Sequence, residues 1–371
     1  MIPADAGVEL ARFSSRRYAI LTDGFLNDRH AKTAHGVMQY GRDEIVAVVD
    51  RAFEGKRVSD VLPHLGCRAP IVADVGSALH FTPTALLVGV APQGGALPAE
   101  FRAHILAAID AGLEIVSGLH QLLNGDAEFV ARAATSGARL WDVRVPPTDI
   151  RLFSGAALAS SHFITLAVGT DCAIGKMSVM LELGKAGRAA GARPEFIATG
   201  QTGIMIAGKG IAVDRVISDF VTGAAEQLVL DASPDADVLL VEGQGSIIHP
   251  AYAPVTLGLL FGCAPDALVM CHDCARSAIS GYGVRIPDLA SFIRLHDALL
   301  ADVKPAPVVA IALNTSSLDE PAARSAISEV ESQTGLPADD AVRFGGAKLW
   351  SAIARAAAAT PKRGRSPAAA S

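Results

Sequence analysis

The sequence contains no apolar run of the roughly 18 residues needed to cross a membrane. Nothing near Met1 has the basic start and apolar stretch of a secretion signal. A soluble cytoplasmic protein is expected. Positive charge is not in excess: 32 Lys and Arg against 38 Asp and Glu leave a net −6, with a pI near 5.9. That balance argues against nucleic acid or an anionic membrane as the main partner. A small-molecule substrate is expected instead, with a homo-oligomer as the assembly. Cysteines number five, at 67, 172, 263, 271 and 274. An odd, scattered set suits a reducing compartment better than a disulfide framework. Cys271-His272-Asp273-Cys274 forms one Cys-x-x-Cys pair, but no second pair exists to complete a zinc cluster, so no metal site is expected. No internal repeat is visible.

At 371 residues, half of them hydrophobic, the chain has room for about two domains with sizeable cores. Between 45 and 143, short β-rich runs alternate with helical stretches. Strands are expected at 45–49, 85–90, 114–117 and 139–143, and helices at 98–112 and 127–136. Such alternation implies a parallel sheet covered on both faces. Pro146-Pro147 and the small-residue stretch 154–161 read as a linker. A second block opens at Phe163, with strands expected at 163–168, 195–199, 237–241, 267–271 and 308–313, and later helices at 320–334 and 346–358. Functional loops should lie at the carboxyl ends of these strands. The basic patch Lys362-Arg363-Gly364-Arg365, set among Ala, Pro and Ser, reads as part of a disordered end starting at about 360.

Gly169-Thr170-Asp171-Cys172-Ala173-Ile174-Gly175-Lys176 follows the first apolar run of this second block and opens a helix-like segment. Strand, glycine-rich turn and helix start together form a phosphate-binding P-loop, in which backbone N–H groups and a lysine face an anion. One position departs from the usual pattern. A Ser or Thr normally follows the lysine and ligates Mg²⁺; here Met177 stands there, and the hydroxyl arrives one residue late at Ser178. On a helix that is a rotation of about 100°. The anion cradle is kept while the metal site is in doubt. The fold class is therefore α/β: an N-terminal Rossmann-like parallel-sheet domain over 1–150, then a P-loop NTPase-like α/β domain over 151–371.

Four further stretches follow strands. Glu242-Gly243-Gln244-Gly245-Ser246, with His249 soon after, puts a carboxylate at a strand end where it can face the loop lysine, a metal or a water. Thr199-Gly200-Gln201-Thr202-Gly203 offers hydroxyl donors in a tight turn. Cys271–Arg285 holds His272 and Asp273, which can exchange protons, and Arg276 and Arg285, which can fork onto a carboxylate. Asn314 ends the last long strand, where P-loop folds often contact a base; it is equally a common turn residue.

Residues 166–178, 199–203 and 238–250 resemble dethiobiotin synthetase, an ATP-dependent carboligase, through Gly169, Thr170, Asp171, Gly175, Lys176, Thr202 and Glu242. A resemblance covering nearly the whole chain is to a bacterial P-loop family whose members have been assigned as D-glutamate N-acetyltransferases. It rests on Gly-Thr-Asp-Cys-x-x-Gly-Lys-Met, Gln-Thr-Gly, Glu-Gly-Gln-Gly-Ser-x-x-His-Pro, and the stretch with His272, Asp273 and Arg276. It implies acetyl-CoA as co-substrate and an N-acyltransferase of a small acidic amino acid, in which Gly169–Ser178 hold CoA phosphates. Glu242, His249 and His272, with Asp273, stand as candidates for acid–base work. Thr202, Gln244, Arg276 and Arg285 stand for substrate binding. Acyl transfer needs a base and oxyanion donors, and no Mg²⁺. The alternative is a Mg-ATP-dependent ligase or kinase of the dethiobiotin synthetase type; a nucleotide-dependent switch is a third reading.

Overall fold

Periodicity places the first strand at 45–49, yet the first sheet is organised on an earlier one. In the computed structural model, which describes residues 16–92 and 94–361, β1 (Arg17–Leu21) pairs in parallel with both β2 (Glu44–Val49) and β4 (Ala85–Val88). With β3 (Ile71–Val72), β5 (Glu114–Ser117) and β6 (Leu140–Asp142), the sheet runs β3-β2-β1-β4-β5-β6. That is the strand order of doubly wound Rossmann sheets. The chain divides into two compact units, the first ending at Arg144 and the second beginning at Val145.

The acid that follows β2 is Asp50, fully buried. Its carboxylate accepts from the Thr22 hydroxyl and from the amides of Leu26 and Ala52. In a dinucleotide-binding sheet an acid near this place receives a ribose hydroxyl. Asp50 is instead consumed in holding the turn after β1.

The second sheet comprises β7 (Phe163–Gly169), β8 (Pro194–Ile197), β9 (Val238–Val241), β10 (Ala267–Asp273), β11 (Val308–Asn314) and β12 (Ala338–Asp339), ordered β12-β11-β10-β7-β9-β8 and parallel throughout. All seven residues of β7 are buried. Ile164, Leu166 and Val168 join one core cluster, Phe163 and Ala167 another. The apolar run is continuous because helices cover both faces. Each fully buried aliphatic side chain contributes roughly 1.5–3 kcal/mol.

Strand order reverses about β7: β8 and β9 lie on one side, β10 to β12 on the other. Ligands of open α/β sheets bind at such a switch point, beyond the carboxyl ends of the strands.

The 154–161 stretch is no free linker. Ala156–Ala159 form a 3-10 turn, Ala157 is fully buried, and the buried Glu226 carboxylate accepts from the amides of Ser154 and Ala157. Lys362-Arg363-Gly364-Arg365 and the rest of the expected disordered end beyond 361 lie outside the described residues.

Candidate functional site

The turn between β7 and the helix Lys176–Ala189 carries two left-handed residues, Ala173 at φ +52° and Gly175 at φ +104°. Such reversals turn successive amides toward one concavity. Among the described residues, no acceptor is found for the N–H groups of residues 173–178; helical pairing starts with Val179 donating to Gly175. Six consecutive unpaired amides at the positive end of a 14-residue helix constitute an anion cradle.

Lys176 is buried and donates Nζ–H bonds to the carbonyls of Asp171 (2.7 Å) and Gly245 (2.9 Å). Two of its three donors are spent on holding the two loops together, leaving one for a ligand. Burial pushes its pKa down, which a bound anion would reverse. Gly243 is required where the β9 loop passes: a Cβ there would stand 1.7 Å from the Ala167 carbonyl oxygen. Ser178 is the third helical residue, behind Met177, and is partly exposed.

Asp171 ties three segments together. Its Oδ1 accepts from the Cys172 amide (2.6 Å), and its Oδ2 from Arg276 Nη1 (2.7 Å) and the Ser280 amide (3.0 Å). Burial alone would raise this carboxyl; the hydrogen bonds from Ser280, Cys172 and Arg276 outweigh it, and the pKa lies below the ordinary value. Arg276 also donates to the Cys172 carbonyl at 2.8 Å and pairs with Asp273 at 3.1 Å. Its guanidinium thus joins Asp171, the Cys172 carbonyl and Asp273 across the loop. Asp273 is likewise occupied, by Arg276 and by the Ala275 amide. Arg285 is exposed, opposite Ala278 in a short antiparallel pairing, with no ion pair among the described residues.

Glu242, one residue past β9, is buried and accepts the amides of Thr199 (2.9 Å) and Gly200 (3.0 Å) on Oε2. Burial pushes its pKa up to about 7 against these bonds. Gln244 donates Nε2–H to the Thr199 carbonyl and, at 3.2 Å, to its hydroxyl, so its amide joins the β8 and β9 loops. Thr202 is buried on the helix Gln201–Ala207.

The histidines separate by their hydrogen bonds. His272 belongs to β10, which runs two residues beyond its expected end. Its Nδ1 lies 3.0 Å from the Thr170 hydroxyl, and no partner for its Nε2 is found among the described residues. Burial lowers its pKa, so it is neutral near pH 7. His249 is buried, and its Nδ1 accepts from the amides of Ala251 (3.1 Å) and Tyr252 (3.2 Å). A nitrogen facing two donors keeps its lone pair, so the neutral ring carries its proton on Nε2. In that tautomer the Nε2–H of His249 is the ring's donor position. Asn314 turns its Oδ1 to the Ser316 amide, the local turn alternative.

A family profile described as a P-loop domain of unknown function, DUF1611, matches residues 151–350. Its partner profile, a Rossmann-like domain, matches 51–146. This chain belongs to the DUF1611 family. A crystal structure of a DUF1611 protein from Anabaena variabilis has 39% identity and a TM-score of 0.87, covering 92% of this chain and 100% of that one. Two curated relatives are named D-glutamate N-acetyltransferase. The one from Tritonibacter scottomollicae is 38% identical over 275 residues, 72% of this chain and 80% of its own. The one from a Pseudoalteromonas species is 39% identical over 264 residues, 70% and 78% respectively. The cradle, Glu242, His249, His272 and Arg276 all fall inside the DUF1611 P-loop match.

Side chains not assigned a role from sequence also line this region. The Ser246 hydroxyl, inside the Glu-Gly-Gln-Gly-Ser motif, is buried with no hydrogen-bond partner among the described residues, in the loop whose Gly245 carbonyl holds Lys176. Tyr252 and Tyr282 flank His249, ring centroids 4.7 and 5.0 Å away. Tyr282 falls in the Cys271–Arg285 stretch and Tyr252 in no motif; their meeting at His249 depends on the tertiary fold.

Proposed function

We propose that this protein is an N-acetyltransferase that moves an acetyl group from acetyl-CoA to the amino group of D-glutamate, with the CoA phosphates held in the 173–178 cradle. One observation carries the reading: six amides with no acceptor among the described residues and a buried lysine at the switch point, with Met177 where a metal-binding hydroxyl stands in nucleotide-splitting P-loops. A pyrophosphate can be gripped there without being cleaved. The names of the two curated relatives support the same chemistry.

Acetyl-CoA supplies an activated acyl carbon when bound. The chain must take a proton from the acceptor ammonium and stabilise the developing oxyanion. His272 is the base favoured by its hydrogen bonds: neutral near pH 7, anchored through Thr170, with Nε2 uncommitted. Glu242 has a suitable pKa but is pinned by two amides. Arg285 is the exposed cation suited to an acceptor carboxylate.

The test is incubation of purified protein with acetyl-CoA and D- or L-glutamate while free thiol is followed. Thiol release dependent on D-glutamate, and at least 100-fold slower in His272→Ala, is expected. Release without acceptor dependence, or cleavage of ATP at a comparable rate, contradicts the reading.

A further inference from the structure

His249 is held more firmly than a base or a ligand needs to be. It is 3% exposed, edged by Tyr252 and Tyr282, and fixed at Nδ1 by two backbone amides. Its protonated Nε2 lies 3.8 Å from Asp171 Oδ1, beyond hydrogen-bond range. Asp171 is already satisfied by Cys172, Arg276 and Ser280. The Nε2–H therefore has no hydrogen-bond acceptor among the described residues and lies beside Asp171 and Cys172, which lead into the cradle.

A competing role is metal binding, since Asp171, Cys172 and His249 offer ligand atoms within 4.8 Å of one another. A metal would need the Nε2 lone pair, moving the proton to Nδ1 against two N–H donors. Arg276 also occupies the Asp171 carboxylate. Both features disfavour a cation.

We infer that His249 is a tautomer-locked donor whose Nε2–H binds a phosphate oxygen in the cradle, complementing Lys176 where other P-loops use a divalent ion. This rests on the reading that the cradle takes CoA phosphates. The groups facing His249 are Asp171 and Cys172 from the loop, Lys176 from its helix, Tyr252 from its own segment and Tyr282 from the hairpin. Burial lowers the pKa, Asp171 opposes the shift and Lys176 adds to it. The ring is thus neutral from its ordinary value of 6.5 upward, and its donor function is flat from pH 7 to 8.

The experiment uses full-length protein with ¹⁵N-labelled histidine, together with calorimetric titration of CoA and inorganic pyrophosphate. In the free wild-type protein, His249 should show a protonated Nε2 and a bare Nδ1, unchanged from pH 7 to 8. The Nε2–H signal should shift with either ligand. His249→Ala should weaken CoA binding by about tenfold, the loss of one charge-assisted hydrogen bond. His249→Asn, which retains a donor amide, should lose less. A proton on Nδ1, or zinc binding that vanishes in His249→Ala, overturns the inference. CoA binding weakened by Lys176→Ala yet indifferent to His249→Ala overturns it alone. Failure of the wild-type protein to bind CoA overturns the proposed function, and with it the ligand assigned here.

Discussion

Glu242 is a carboxyl buried among amides, and its proton equilibrium makes the fold sensitive to pH. With its pKa raised from 4.5 to about 7, the folded state holds a proton that the unfolded chain releases between those values. Its contribution is whole below about pH 4.5 and is lost as pH climbs through about 7. Glu242→Gln removes the titration. From pH 5 to pH 8 the stability difference should move in the variant's favour by on the order of 2–3 kcal/mol, read from denaturant melts at both values. A difference independent of pH would show that the carboxyl is solvated. Arg276 gives a second prediction. Arg276→Ala leaves the buried Asp171 carboxylate without its cation and should cost about 2–4 kcal/mol of stability while weakening CoA binding. A variant of wild-type stability with only a raised KM for the acceptor would return Arg276 to substrate binding. Sequence spacing could mark Lys176 and Glu242, because each stands inside a glycine-rich motif at a strand end. It could not separate clamp from substrate ligand for Arg276, because Asp171 lies 105 residues away.

At the level of elements, β2, β4, β5, β6 and β8 fall on runs expected from the sequence, and so do the largely apolar cores of β7, β9, β10 and β11. Buried on both faces, these last four leave a continuous signature. β1 is five residues long and starts with an arginine, while β3 and β12 have two residues each. Their pairing comes from neighbours already in place, which periodicity does not reveal. The approach of the β9 loop to β7 is likewise tertiary, and it gives a sharp test. Gly243→Ala puts a methyl against the Ala167 carbonyl. It should destabilise the fold by roughly 2–4 kcal/mol and displace Lys176, seen as a lower melting temperature and loss of CoA binding together. A variant melting like wild type would mean the loop relaxes freely.

For the molecule as a whole, two parallel sheets of related architecture divide their uses. The first has the strand order of a dinucleotide-binding domain, but its Asp50 is spent on Thr22, Leu26 and Ala52. NAD or NADP should therefore leave the thermal unfolding curve unmoved; a shift that survives Lys176→Ala would place a nucleotide in the first unit. The second sheet gathers Lys176, Glu242 and His272 at the carboxyl ends of three adjacent strands, β7, β9 and β10, with His272 within β10 itself. We propose that this cradle grips phosphates without a divalent ion, and calorimetric titration of the full-length protein with CoA, with and without Mg²⁺, decides it. Micromolar affinity unchanged by Mg²⁺ is predicted; no binding of CoA, or tight ATP binding that requires Mg²⁺, would contradict it.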